Sequence, residues 1–251
     1  MKLSVIIPAY NHLAEVMKCR TAVLHTTSRA LTEVLVQDDA STEYIGPELI
    51  GPSCARNAEN VGFGENCNAG AARARGDVIM FMNQDVWPVH YGWDARLLTF
   101  FANNPQAGVA GPTLLFPDGR VQSVGGLFDA AGQPFHEALG FSNPDWEPIN
   151  TPREVPWITA AVFAVRRECW QQLGGFDSAY VRGYFEDVDF CMRAREAGWQ
   201  VWHRPNIRMY HAVGSTGGSP HFMQNALTFK QRWVDSGKFE PDVPYRVLGW
   251  W

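Results

Sequence analysis

Three short stretches gather carboxylates where apolar runs end: Asp38-Asp39, Asn83-Gln84-Asp85 and Glu186-Asp187-Val188-Asp189. Oxygen-bearing side chains grouped in this way suit two tasks. They can hold a hard divalent cation and, through it, phosphates. One of them can also take a proton from a hydroxyl as it attacks. Singly, each stretch reads equally well as a polar turn, because Asp and Asn are ordinary turn residues. Asp85 holds the most telling position. Residues 78–82 (VIMFM) form an apolar run bounded by Gly76-Asp77 before and Pro88 after, the pattern of a strand buried on both faces. In an open α/β sheet, ligands sit beyond the carboxyl ends of the strands. Side chains alternate along a strand, so Asn83 and Asp85 share a face at that end.

The elements that must position these groups follow from the flanking sequence. Residues 3–8 (LSVIIP) are a β-branched run closed by proline, hence a first strand. Asn11 is placed to cap a helix on which Leu13, Val16, Met17, Arg20 and Leu24 recur at helical spacing. Residues 33–37 form a second strand that ends in Asp38-Asp39, so the first two strands should be parallel and joined right-handedly. Residues 60–64 (NVGFG) form a turn, and 65–75 a helix closed by Gly76. Alternating strands and helices predict a layered α/β domain. In the second half, Asp118-Gly119 and Ala131-Gly132 signal hairpin turns, with one strand over 120–128 between them. Residues 133–153 read as a long loop, of the kind that is usually functional. Further expectations are a strand over 155–165, a helix over 186–197 capped by Gly198, short strands over 199–203 and 207–211 around Pro205, and a last helix over 221–235. The glycine-rich residues 214–220 are expected to be mobile.

Composition narrows the classes. With 251 residues, 46% hydrophobic and 19% charged, the chain is globular and long enough for a real core. A net charge of −5 gives no electrostatic footprint for nucleic acid. The five cysteines are scattered and show no C-x-x-C spacing, which argues against zinc and disulfides and for a reducing compartment. The apolar run before Pro8 is too short for a signal peptide or membrane span. The expected location is therefore the cytoplasm, with peripheral membrane contact left open, the Leu248-Gly249-Trp250-Trp251 tail included.

The order of the motifs is more specific than any one of them. VIIPAYN at 5–11, DDAST at 38–42, NVGFG at 60–64 with Asn68, NQD at 83–85, LGGFD at 173–177 and YFEDVD at 184–189 together resemble the family 2 inverting glycosyltransferases. The Asn-x-Gly-Phe stretch, and His211 followed by Gly214-Ser215, are similar to the rhamnosyltransferase and galactofuranosyltransferase branch. The resemblance implies a GT-A fold: a Rossmann-like, mostly parallel central sheet flanked by helices, with a smaller antiparallel acceptor-side part. It implies one domain, with residues 1–112 binding the nucleotide sugar, 113–220 binding the acceptor, and 221–251 forming a helix and tail.

The resemblance also implies roles. The donor nucleotide, dTDP- or UDP-linked, would be held by Pro8, Ala9, Tyr10, Asn11, Asp39, Asn60, Gly62, Phe63, Asn68, Asn83 and Gln84. Asp38 is better read as a cap for its own turn. Asp85 and His211 would bind Mn²⁺ or Mg²⁺, with Asn83 standing where the family usually has an acid. Asp187 would be the catalytic base, kept ionised by its place in the first turn of a helix. Trp157, Thr159, Glu186 and Asp189 would serve the acceptor or sugar. For Trp157 core packing is an equal rival, and for Glu186 and Asp189 anchoring the loop is the other reading. Ala40 and Ala160 replace glycines common in the family. The acceptor would be a saccharide or lipid-linked saccharide in surface polysaccharide synthesis. Alternatives are a catalytically silent domain of this fold that binds saccharide or a partner enzyme, and a nucleotidyltransferase. The latter lacks its early glycine-rich phosphate loop here.

Overall fold

A computed structural model of the protein describes residues 1–43, 52–212 and 220–237. Residues 214–219 and the 248–251 tail, singled out above, lie outside the described residues. Along the chain come β1 (Leu3–Ala9), α1 (Leu13–Thr26), β2 (Thr32–Asp38), β3 (Cys54–Arg56), α2 (Phe63–Arg73), β4 (Val78–Met82), β5 (Val86–Pro88) and α3 (Trp93–Asn103). Then follow β6 (Ala107–Leu115), β7 (Val121–Ser123), β8 (Gly126–Phe128), β9 (Pro134–His136), β10 (Arg153–Glu154), β11 (Val162–Arg166), α4 (Arg167–Leu173), α5 (Glu186–Glu196), β12 (Gln200–His211) and α6 (Phe222–Phe229). A π-helical turn, Lys230–Val234, continues α6. None of these helices is long and apolar enough to cross a membrane.

The main sheet runs β10-β12-β6-β11-β4-β1-β2-β3, with β5 beside β12 and β7 beside β6. The first two strands are parallel, as the βαβ rule requires. β4 is parallel to β1, and β3 to β2. β11 runs antiparallel to both β4 and β6, and β12 is parallel to β6. The six strands β1, β2, β3, β4, β6 and β12 therefore point the same way. Their carboxyl ends form one edge carrying Ala9-Tyr10, Asp38-Asp39, the 83–85 stretch and His211. β11, running against them, begins at the same edge.

The sheet is covered on both faces at its centre, where β1, β4, β6 and β11 are buried throughout, while β12 toward the edge alternates. On one side α1 and α3 contribute Val16, Cys19, Val23, Trp93, Leu97 and Phe101. On the other, α2, α4 and α5 contribute Cys67, Ala71, Trp170, Phe190 and Cys191. A hairpin of β8 and β9 lies apart, turning at Gly132 with φ +77°. It packs near α6, where the Phe128 and Phe229 rings are 6.1 Å apart.

Several expectations need correction. β6, α3, α4, β3 and β5 were not foreseen. The single strand expected over 120–128 is broken at Gly125 (φ +99°) into β7 and β8, which belong to different sheets. The 133–153 loop contains β9 and β10, and only Val162–Arg166 of the 155–165 run is strand. The two short strands around Pro205 are one strand, β12. It pairs β6 on both sides of a bulge between Arg204 and Arg208 that lies opposite Pro112, which has no N–H to give a ladder. The α1 cap is His12, not Asn11, and α2 ends at Arg73, short of Gly76. Gly198 does terminate α5: it has φ +87°, and Trp199 N–H reaches back to Ala194 O, the Schellman pattern.

Candidate active site

The end of β2 organises a loop. Asp39 is buried, and its carboxylate accepts from Asn57 Nδ2 (2.9 Å), Val61 N (2.9 Å) and Gly62 N (2.8 Å). Gly62 has φ +91°, and a Cβ there would stand 2.7 Å from Arg182 Cα. Glycine is therefore required twice over, by conformation and by close approach. Ala40 sits at φ +57°, a left-handed position that costs an alanine about 1 kcal/mol. Asp38 accepts from Ser41 and pairs with Arg56 at 2.9 Å, which is the capping role read from the sequence.

At the end of β1, Pro8 and Ala9 are buried and Tyr10 is exposed. Gln84 is buried, and its amide pins the Tyr10 backbone, accepting from Tyr10 N at 3.0 Å and donating to Tyr10 O at 3.4 Å. Asn11 Oδ1 accepts from Thr42 N and Glu43 N, tying the first loop to the second. Asn68 exchanges hydrogen bonds with the Phe176 backbone, which fixes the 174–176 turn. Asn60 and Phe63 are half-buried on the 57–63 loop.

At the end of β4, Asp85 meets His211 from the end of β12, with Nε2 to Oδ1 at 3.1 Å. His211 Nδ1 is 2.7 Å from Gln122 Oε1 on β7. Next along β7, Ser123 Oγ bonds His136 Nδ1 at 3.1 Å. Burial, and then the neighbouring charge of His211, push the His136 imidazole down to about 4. Asn83 Oδ1 is buried without a hydrogen-bond partner among the described residues.

These residues fit a divalent cation. Adjacent ligands on an octahedral ion at about 2.1 Å lie about 3 Å apart, close to the Asp85–His211 spacing. Among the described residues no third acidic, histidine or cysteine side chain joins the pair. Coordination by phosphate oxygens and water would complete the sphere, the usual arrangement for a cation that binds with a diphosphate.

At the start of α5, Asp187 is half-buried. Its Oδ2 accepts from Ala160 N (2.8 Å), and its Oδ1 from Val188 N (2.8 Å). Thr159 also hydrogen-bonds it. The helix end and these donors favour the ionised form, but burial outweighs them, and the carboxyl lies above its ordinary range. Glu186, beside it, is 4% exposed, and its Oε2 has no hydrogen-bond partner among the described residues. Burial, and then the Asp187 charge, hold it well above the usual carboxylate range. Tyr184 and Phe185, which lead into this turn, both have φ above +70°, strained positions of a kind that cluster at functional sites.

The two centres are joined through strand ends. Asp187 is bonded to Ala160, Ala161 O accepts from Asn83 N at 2.9 Å, and Asn83 leads into Asp85. Two residues expected near the sugar are placed elsewhere. Trp157 is 4% exposed, donates to Leu127 O, and packs on His136 with ring centroids 4.9 Å apart. It belongs to the core and offers no open face. Asp189 is fully buried and accepts from Tyr180 Oη, Arg193, Arg232 and Trp233 Nε1, the anchoring alternative. Gln122 and His136 were missed, because each sits alone on a three-residue strand with no local motif. Cavities of about 430 and 470 Å³ flank Arg204 on β12. They take in none of the residues of this edge.

Comparison with known proteins bears on both fold and chemistry. Residues 4–161 match Glycosyl transferase family 2. Over 155 residues, 57% of the chain, it is 34% identical to the O-antigen biosynthesis protein RfbC of Myxococcus xanthus, covering 12% of that protein. Over 158 residues, again 57%, it is 32% identical to an N-acetylglucosaminyl-diphospho-decaprenol L-rhamnosyltransferase of Mycobacterium tuberculosis, covering 50% of it. A crystal structure of GalNAc-T7 with UDP, GalNAc and Mn²⁺ superposes with a TM-score of 0.77 at 18% identity, over 94% of this chain and 48% of that one. At that identity the likeness concerns the fold, which is GT-A. The chain spans half or less of the length of each of these proteins.

Proposed function

The chain belongs to glycosyl transferase family 2, and from that premise we propose that it transfers a sugar from a nucleoside diphosphate to a saccharide hydroxyl with inversion. The observation that carries this reading is the common edge. Asp85 with His211 at strand ends, and Asp187 on α5 held by Ala160 just ahead of β11, gather at this edge, where a donor and an acceptor could meet.

The loop fixed by Asp39 and the β1 end fixed by Gln84 form a rigid seat for the nucleotide. Tyr10, exposed at that end, is free to lie against the base. Asp85 and His211 would hold a divalent cation, Mn²⁺ suiting the imidazole. When bound, that cation supplies positive charge against the diphosphate leaving group. Asp187 accepts the proton of the acceptor hydroxyl while its oxygen bonds to the anomeric carbon and the bond to diphosphate breaks. Thr159 and the Ala160 amide keep the carboxylate aimed during transfer. The O-antigen and rhamnosyltransferase relatives named above favour a sugar such as rhamnose and a lipid-linked saccharide acceptor in surface polysaccharide synthesis, and the donor in this reading is dTDP- or UDP-linked.

Asn83, where an acid is usual, favours a second reading as a silent binding domain. One experiment separates the two. Wild-type protein with Mn²⁺ is offered a panel of UDP- and dTDP-sugars, and nucleoside diphosphate release is followed. Metal-dependent release that disappears in Asp85→Asn supports a transferase. No turnover on any donor, and no metal-dependent nucleotide binding by calorimetry, supports the silent domain.

A further inference from the structure

Gln122 has a specific relation to His211. It lies on β7, which is held against β6 by the Leu114–Ser123 and Leu115–Val121 pairs, and its side chain is buried. Its amide touches His211 twice. Nε2 donates to the His211 carbonyl oxygen at 3.4 Å, and Oε1 stands 2.7 Å from Nδ1. The carbonyl can only accept, so it sets which end of the amide is NH₂. Oε1 therefore faces the ring, and Nδ1 must carry the hydrogen. The other ring nitrogen, Nε2, faces Asp85 Oδ1, 3.1 Å away, where it gives a hydrogen to the carboxylate when protonated and turns a lone pair toward a cation when not. A divalent cation that takes the place of the Nε2 proton would be held by both groups. A ligating histidine generally gives its second N–H to an outer partner that fixes the tautomer and the ring plane.

We infer that Gln122 is a positioning residue that locks His211 in the Nδ1–H tautomer, so that Nε2 and Asp85 together present a preformed half-site for the divalent cation. The inference rests on the metal-dependent reading proposed above. Gln122 touches neither donor nor metal. It acts through His211, and its loss should weaken cation binding while the β6–β7 pairing stays intact. The residue also explains why a strand as short as β7 carries a buried amide: the amide would otherwise be a polar group in an apolar setting.

The test uses the full chain and Mn²⁺ alone, with free Mn²⁺ read by electron paramagnetic resonance. Gln122→Met preserves volume, offers Nδ1–H only a weak thioether acceptor, and should bind Mn²⁺ about 10–100-fold more weakly than wild type. Gln122→Glu keeps an acceptor there and should stay within a few-fold of wild type. In the metal-free protein, ¹⁵N chemical shifts of His211 should report Nδ1–H in wild type and a shift toward Nε2–H in Gln122→Met. A merely structural role would not move that signature. If Gln122→Met keeps wild-type affinity while His211→Ala and Asp85→Asn lose it, the inference is overturned and the metal reading stands. If His211→Ala and Asp85→Asn also bind as wild type does, the metal reading itself fails and takes the inference with it. Equal weakening in Gln122→Met and Gln122→Glu, with His211 shifts unchanged in both, would likewise overturn it.

Discussion

The two halves of the candidate site treat their polar groups in opposite ways. On the β1–β2 side almost every group is answered by the protein itself. Asp39 holds three donors, Asp38 holds Ser41 and Arg56, and Gln84 and Asn68 each exchange two bonds with backbone. On the β4–β12–α5 side groups are left in need. Asn83 Oδ1 and Glu186 Oε2 lack partners among the described residues, Asp187 is held above its ordinary range, and the Asp85–His211 pair is where we propose the cation. Buried polar groups are normally satisfied, and exceptions ask for a reason. The first half is a finished scaffold that shapes a seat. The second is where cation, acceptor and proton would be taken up.

The contrast is sharpest within one helix. Asp187 and Asp189 lie in the same first turn of α5, yet one faces the strand ends and the other the core. Asp187→Asn should reduce sugar transfer about 10²–10⁴-fold, with unfolding free energy lowered by no more than the about 1–3 kcal/mol that an unmet donor costs, since its new NH₂ faces the Ala160 or Val188 amide. Near-normal turnover would remove Asp187 as base. Asp189→Ala should do the reverse. It strands Arg193 and Arg232, and breaking a buried ion pair costs about 3–5 kcal/mol, read as a fall in unfolding free energy. A stable but inactive Asp189→Ala protein would break the comparison and return Asp189 to the acceptor side.

A milder effect is expected on the scaffold side. Asp39→Asn exchanges one acceptor oxygen for an NH₂ that faces N–H donors from the 57–62 loop. An unmet buried donor costs about 1–3 kcal/mol, visible as a lower midpoint in urea. Binding of UDP, followed by calorimetry, should weaken along with loop order. Unchanged stability with lost UDP binding would mean that Asp39 touches the base directly rather than through the loop it holds.

How much of this was legible beforehand differs between the halves for a physical reason. Strand ends such as VIMFM followed by NQD announce themselves, because an apolar run stops abruptly in polar groups. β6 did not, because Gly108, Gly111 and Pro112 dilute its β signal. The structure shows why two of them are there: a Cβ at Gly108 would meet Trp199 Cβ at 2.7 Å, and one at Gly111 would meet Ile158 Cγ2 at 2.3 Å. Close neighbours distant in sequence selected those glycines, and no window of local sequence contains them. The same holds for Gln122 and His136, whose partners arrive only through topology. Trp157 misled for the opposite reason. An aromatic beside a motif looks like a sugar platform, but here Gly126 is bare so that the indole can lie on it, with a Cβ there only 1.8 Å from Trp157 Cε2.

The smallest expected effect per step is also the one that tests whether the unsatisfied side is truly held under tension. Glu186 is buried and sits beside the Asp187 charge, so its folded pKa lies well above its unfolded value near the ordinary carboxylate range. Below the unfolded value both states are protonated and the group adds no pH dependence. Between the two values the folded protein keeps a proton that the unfolded chain has released, so stability falls as pH rises, by at most about 1.4 kcal/mol per pH unit. Above the folded value the fall stops. Glu186→Gln removes this titration while keeping shape and the neutral form. Its unfolding free energy should match wild type near pH 4 and exceed it increasingly toward pH 8, with a residual slope from Asp187 in both proteins. Urea melts at four or five pH values give the two curves. Parallel curves would mean that Glu186 is already ionised and partnered in the folded state, and the line drawn between a finished half and an unsatisfied half would then have to be moved to Asp187 alone.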